Sequence, residues 1–115
     1  MKPEEGRQKL LKLFGSQLVF SKDFDKYFSK LKDNMQLALL EWCNDCNKGI
    51  AKGSVPPLPK YKDKFVFFRK IGSDIRATLV KQQNSHFIEI YLDNYKSYDD
   101  LRLELGYKKS SYYMS

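Results

Sequence analysis

Apolar and polar positions along this chain follow two rhythms, a helical one in the first half and a strand-like one in the second. Leu10, Leu11 and Phe14 share one stripe behind Pro3, Glu4 and Glu5, and Gly15 follows as a stop, which predicts a short helix over 3–14. Gly6 weakens its start. Leu18-Val19-Phe20 predicts a short strand, with Ser21 as the cap of the next element. That element is the clearest helix: Phe24, Tyr27, Phe28 and Leu31 fall at i, i+3, i+4 and i+7, while Lys22, Asp25, Lys26 and Ser29 take the other side. Asp33-Asn34 reads as a break. Met35, Leu39, Trp42, Cys43 and Cys46 then form a second helical stripe to about Lys48, closed by Gly49, and the two helices are expected to pair as an antiparallel hairpin.

Periodicity disappears between Gly49 and Lys64, where Gly53, Pro56, Pro57 and Pro59 mark an extended, lysine-bearing connector. Two β-rich runs follow, Phe65 to Ile71 and Asp74 to Val80, and the Gly72-Ser73 pair between them predicts a type II′ hairpin. After a polar loop over 81–85, His86 to Leu92 alternates with period two and predicts a third strand of a meander. Asp99 to Leu105 predicts a short last helix stopped by Gly106. The sum is an α+β protein, a helix hairpin packed on one face of a small antiparallel sheet. At 115 residues the chain is read as one domain, 1–115, with 1–16 as a helical extension and 107–115 as a tail that is either flexible or laid over the sheet.

Charge narrows the class of partner. Lys and Arg number 21 against 14 Asp and Glu, a formal net charge of +7, and a basic surface concentrates phosphates around it. The competing reading is that the lysines serve solubility alone. No apolar run reaches the roughly 18 residues of a membrane span and no signal-peptide pattern opens the chain, so a cytoplasmic protein without a membrane partner is expected. Cys43 and Cys46 form the one Cys-x-x-Cys pair. A structural zinc normally takes four ligands, and with His86 as the single histidine no metal site and no cofactor are expected. The pair lies in a helical pattern rather than after a strand, which argues for two small apolar packing residues over a redox couple.

A two-residue turn at Gly72-Ser73 would set Arg69 directly across from Arg76, with Val66, Phe68, Ala77 and Leu79 on the core face. Like charges so placed repel, and an RNA phosphate gripped by both guanidinium groups would relieve them. Solvent, or a pairing with Glu89, Asp74 or a partner protein, is the alternative.

The segment from Phe68 to Leu79 with its arginines, the strand Ile88-Glu89-Ile90-Tyr91-Leu92, and the following Asn94-Tyr95-Lys96-Ser97-Tyr98-Asp99 resemble the RelE/ParE toxin superfamily. So does the strand and Phe-rich helix between Leu18 and Leu31, and the likeness spans about residues 17 to 105. It implies a RelE-like fold and a metal-independent endoribonuclease that cuts messenger RNA on the ribosome and is neutralised by a cognate antitoxin. A ParE-like inhibitor of DNA gyrase and a non-catalytic RNA-binding protein of the same fold are the alternatives. In that chemistry the ribose 2′-hydroxyl attacks the adjacent phosphate. The resemblance assigns charge stabilisation to Arg76 and Arg69, proton handling or phosphate neutralisation to Lys96, and base stacking or ribose orientation to Tyr98. Asn94 stands where many members carry histidine, and it exchanges no proton near neutral pH. Lys70, Tyr91, Tyr95, Lys108 and Lys109 are the expected RNA-binding residues, with Tyr107, Tyr112 and Tyr113 as further stacking rings. His86 reads as a surface residue at a strand start.

Overall fold

Every apolar stripe forms the kind of element its period implies. The chain runs through α1 (Pro3–Phe14), β1 (Leu18–Phe20), α2 (Phe24–Lys30), α3 (Asp33–Lys48), β2 (Lys64–Lys70), β3 (Ile75–Gln82), β4 (Ile88–Asn94) and α4 (Tyr95–Glu104), with one 3₁₀ turn at Pro59–Tyr61. The computed structural model describes residues 1–110, so Tyr112 and Tyr113, and the last five residues of the 107–115 tail, lie outside the described residues. No helix among the described residues is long and apolar enough to cross a membrane.

Pro3 opens α1, where the missing N–H costs nothing, and Gly15 stops it at φ 100°, a conformation that side chains disfavour. Gly6 is not a weak point but the place of closest approach: a Cβ there would lie 2.6 Å from the ring of Phe28, itself wholly buried. The segment set apart as an extension therefore sits in the main core, with Leu10 and Phe14 buried beside Phe24 and Phe28. The break between α2 and α3 falls at Leu31 and Lys32, two residues earlier than Asp33-Asn34. Ser21 does not cap α2, whose preceding residue is Asp23. Its hydroxyl accepts the Leu92 N–H at 3.1 Å and its own N–H donates to the Ile90 carbonyl at 2.8 Å, which prolongs the pairing of β1 with β4.

The expected pairing of α2 with α3 gives way to a three-helix layer in which α1 packs against both and α2 leans on β4. Seven residues give α2 too short a face to hold the sixteen of α3. The buried Gln36 ties the layer together, its amide nitrogen donating to the Phe28 and Met1 carbonyls at 3.1 Å each. Trp42, Cys43 and Cys46 lie inside the core as packing residues.

The sheet has the order β1-β4-β3-β2 and is mixed rather than antiparallel, because β1 runs parallel to β4. The β2-β3-β4 meander leaves the far side of β4 open, and β1 fills it with Leu18 and Phe20 turned toward the helices. On the opposite edge, Ser54 exchanges two backbone hydrogen bonds with Val66, at 2.9 and 2.8 Å, and covers part of β2.

The hairpin register differs by one residue from the expected one. Lys70 pairs with Arg76, Arg69 with Ala77, Phe68 with Thr78 and Phe67 with Leu79. Ile71 and Gly72 both donate to the Ile75 carbonyl, so the loop holds Gly72, Ser73 and Asp74 instead of a two-residue turn. The cause is burial: this register aligns Phe67 and Ile71 with Ile75, Ala77 and Leu79 on the helical face, and all five are in the main core. Arg69 therefore does not face Arg76. Val66 and Phe68 move to the other face, which the sequence does not show as covered.

That second face is closed by α4 and the segment after it, where Val66, Val80 and Leu105 are buried and Phe68, Tyr91, Leu101 and Tyr107 pack on them. α4 starts four residues before the expected Asp99 because Asn94 caps it, accepting the Ser97 N–H at 2.9 Å. β4 accordingly covers Ile88–Asn94 rather than 86–92.

Gly6→Ala tests the closeness of α1 and α2. The substitution gains about 1 kcal/mol of helix propensity, yet the Phe28 ring has no room to retreat. A net loss of about 1–3 kcal/mol is expected by urea denaturation, and an unchanged midpoint would refute the contact.

Candidate nucleic-acid interface

Three strands present alternate residues to the face under α4: Val66, Phe68 and Lys70 from β2; Arg76, Thr78 and Val80 from β3; Glu89, Tyr91 and Asp93 from β4. Arg76 stands between Lys70 on one neighbour and Asp93 on the other. It is 6% exposed, and its guanidinium Nη1 lies within 3.2 Å of the Gly72 carbonyl, 3.4 Å of Ser73 and 3.3 Å of Ile75. The like-charge opposition expected for Arg69 and Arg76 thus falls on Lys70 and Arg76. The fold answers part of it internally, with loop carbonyls as acceptors.

Tyr98 is 5% exposed and lies within electrostatic range of Arg76 and Arg102; burial raises its pKa in spite of both cations. Its ring meets Phe68 edge to face at 5.6 Å, and Tyr107 meets Phe68 at 4.9 Å. Arg102, which the sequence reading passed over, lies among these rings with its guanidinium 4.4 Å from the Phe68 centroid, 5.7 Å from Tyr98 and 5.5 Å from Tyr107. Its Nε donates to the Lys108 carbonyl at 2.8 Å. The Tyr107 hydroxyl reaches Ser54 at 2.7 Å, which fastens the segment after α4 to the edge of β2. Tyr91 is half-buried and donates to Glu89 at 2.8 Å; burial and the Glu89 carboxylate raise its pKa. Tyr98, Tyr91 and Tyr107 are thus committed to packing, whereas Tyr95 is 53% exposed.

The exposed cations collect at the hairpin end of the sheet. Because β3 begins and β4 ends there, with Ile75 opposite Asn94, the first turn of α4 carries Tyr95 and Lys96 to the same end as Arg69 and Lys70. Lys96 and Tyr98, two residues apart on a helix, point to nearly opposite sides, and Lys96 is exposed. Arg69 is exposed on the helical face and Lys70 on the other, so the two flank the strand end rather than share a face. Between the hairpin loop and the α2–α3 junction lies a cavity of about 430 Å³, lined by Lys30, Lys32, Tyr27 and the residues from Gly72 to Ile75. Lys26 and Lys30 stand 5.3 and 5.4 Å from the Tyr27 ring centroid. The Lys-x-Lys step at 30 and 32 is the sequence signal that would have added this pair. Lys108 and Lys109 are exposed on the segment that folds back over α4, where Ser110 donates to Asp99 at 2.9 and 2.7 Å.

Two adjacent polar residues, Asp93 and Asn94, end β4 here. Asn94 donates from Nδ2 to the Tyr27 hydroxyl at 3.1 Å while its Oδ1 caps α4. Asp93 beside it has its carboxyl pushed up to about 6, first by burial and then by the Asp23 carboxylate. Burial also holds the Cys46 thiol up to about 12 and raises Cys43 further, so neither is a thiolate at neutral pH. Among the described residues no group of three His, Cys, Asp or Glu side chains is placed to hold a metal ion. His86 is exposed in the β3–β4 loop, at the opposite end of the sheet. No family model, no curated protein and no solved structure matches this chain.

Asp93 makes stability depend on pH. A carboxyl raised from 3.8 to about 6 binds its proton more tightly in the folded chain than in the unfolded one, so stability is lost as pH rises through that window. Asp93→Asn removes the penalty. After allowance for partial solvent exposure, it is expected to stabilise the protein by on the order of 1 kcal/mol at pH 7 and by almost nothing near pH 4. Urea midpoints at the two pH values check this, and an equal effect at both would refute the assignment.

Proposed function

We propose that this chain is an RNA-binding protein of RelE-like architecture that acts on messenger RNA at the ribosome and is neutralised by a cognate antitoxin. The observation that carries the reading is the gathering of Arg69, Lys70 and Lys96 at one end of the sheet, next to Lys30 and Lys32, with the exposed ring of Tyr95 at the start of α4. Separated cations suit the spaced phosphates of a single strand, and an exposed ring suits an unstacked base. Past α1, the succession of strand, two helices, hairpin, strand and helix accords with the order of elements on which the resemblance rests.

Cleavage is the second step of the reading, and Asp93 favours it. When the 2′-hydroxyl attacks phosphorus and the 5′-oxygen leaves, the hydroxyl proton needs an acceptor and the phosphorane needs positive charge. Asn94 accepts no proton, but the adjoining Asp93 has its carboxyl pushed up to about 6 and lies cross-strand from Arg76. Arg69, Lys70 and Lys96 are the exposed cations that would meet the phosphate. Arg76 and Tyr98, buried as they are, act by fixing the loop and the floor beneath it.

Fluorescence anisotropy with a short single-stranded RNA tests the binding step. The wild type is expected to lose affinity steeply with salt, and Arg69→Gln with Lys70→Gln to flatten the log–log salt slope by about 1–2. A slope unchanged by that double variant and by Lys30→Gln with Lys32→Gln would sink the proposal. For cleavage, ribosomes programmed with message should yield new 5′ ends with the wild type and none with Asp93→Asn. RNA binding without any cuts would leave a non-catalytic binder, and loss of gyrase supercoiling with intact RNA would point to the ParE-like alternative.

A further inference from the structure

At the end of the sheet away from the hairpin, and on its helical face, a second cavity of about 540 Å³ opens between the end of α1, the end of α3 and the β3–β4 loop. β3 sends Ile75, Ala77, Leu79 and Lys81 to that face. The first three are buried in the main core, and Lys81 takes the fourth place in an otherwise apolar row, with Phe65 and Ile88 as its cross-strand neighbours. It is half-buried and takes no part in the ion pairs of Met1 with Asp33 or of Arg7 with Asp25. It lines the cavity together with Asn47 from the end of α3. A lysine whose stem lies on an apolar row and whose ammonium reaches the mouth of a cavity offers that cavity a positive charge for an anion.

The rest of the lining limits what that anion carries. Phe14 and Phe65 supply apolar wall. Gln17 donates its amide nitrogen to the Phe14 carbonyl, and Gln83 donates to the carbonyls of Lys62 and Lys64, so in both the amide oxygen stays available as an acceptor. Asn47 brings a donor and an acceptor from the last turn of α3, and His86 stands at the rim. Asp63 accepts from the Gln82 amide and does not line the cavity. A bare inorganic anion would leave the aromatic wall unfilled, and an alkyl carboxylate would leave the amides unpaired. A flat ring edged with donors and acceptors and joined to a phosphate satisfies all three features, and the volume is in the range of small-molecule sites. We infer that this cavity binds a nucleoside monophosphate, with the phosphate on Lys81 and His86, the base along Phe65, and its edge read by Gln17, Asn47 and Gln83. The site shares no residue with the hairpin end, so it stands whether or not that end binds RNA.

Calorimetric titration of the full chain with adenosine, guanosine, cytidine and uridine monophosphates, the four nucleosides and inorganic phosphate tests it. At least one monophosphate is expected to bind with a Kd below about 1 mM, with its nucleoside and inorganic phosphate each about ten-fold weaker or more. Lys81→Met should weaken it about ten-fold without shifting the thermal midpoint, and Arg69→Gln with Lys70→Gln should leave it unchanged. Should Lys81→Met unfold the chain, Asn47→Ala on the exposed side of the cavity gives the same readout. Phosphate binding as tightly as the nucleotides would reduce the site to a bare anion pocket and overturn the proposal. So would the absence of binding up to about 10 mM, or affinities that respond to the hairpin variants and not to Lys81 or Asn47.

Discussion

Which face each residue of β2 presents is decided by one pairing, Ile71 with Ile75 across the three-residue loop. Every large side chain of the strand follows from it: Phe67 and Ile71 go to the helical layer, Val66 and Phe68 to the layer under α4. A slip of one residue would exchange those sets and leave Ile71 facing Asp74, at a cost of roughly 1.5–3 kcal/mol for each large side chain taken from the core. Arg76 strengthens the choice from the other side of the sheet, since its guanidinium lies against carbonyls of the same loop. An arginine buried to close a turn has given up the freedom to meet a ligand. The loop, and through it the neighbouring Arg69 and Lys70, are what it positions.

Both faces of this sheet are covered, and that directs function to its ends. α1, α2 and α3 fill one side, while α4, Arg102 and Tyr107 fill the other around Phe68. The Arg102 guanidinium caps an aromatic cluster that would otherwise meet water, and bonding to the Lys108 carbonyl holds the returning chain in place. Rings that looked suited to stacking bases are therefore used against each other. At the hairpin end only Tyr95 is left largely open among these rings, beside cations drawn from β2, α4, the end of α2 and the α2–α3 junction.

Helix-period patterns translated directly into structure, because α1, α2 and α3 each bury one stripe and their stops, Gly15 and Gly49, adopt the positive φ that glycine tolerates. The hairpin was less legible because β2 is apolar on both sides: Phe65 and Phe67 alternate with Val66 and Phe68, so periodicity offers two equally good registers and only the loop closure decides. The early start of α4 is legible in Asn94, a capping residue three positions before Ser97. The parallel placement of β1 follows from long-range packing that no local pattern records. In the candidate interface, charge clustering at Arg69, Lys70 and Lys96 could be anticipated from their places near strand and helix ends. The burial of Arg76 and Tyr98 could not, since it depends on α4 closing a face that the sequence leaves open.

Asn94 and Asp93 divide two tasks that a single side chain would struggle to combine. The Asn94 amide is fully engaged, its oxygen on the Ser97 N–H and its nitrogen on Tyr27, and so it joins α4, β4 and α2 at one point without ever changing charge. A titrating group there would alter the cap each time its proton moved. Asp93 points to the other face and is free of that duty, and burial together with the Asp23 carboxylate pushes its carboxyl up to about 6. The geometry of this end is thus kept by a neutral residue, and the titrating carboxyl stands one position earlier. Ionisation of Asp93 thus leaves the charge of the Asn94 cap on α4 unchanged, although it costs the fold stability as pH rises.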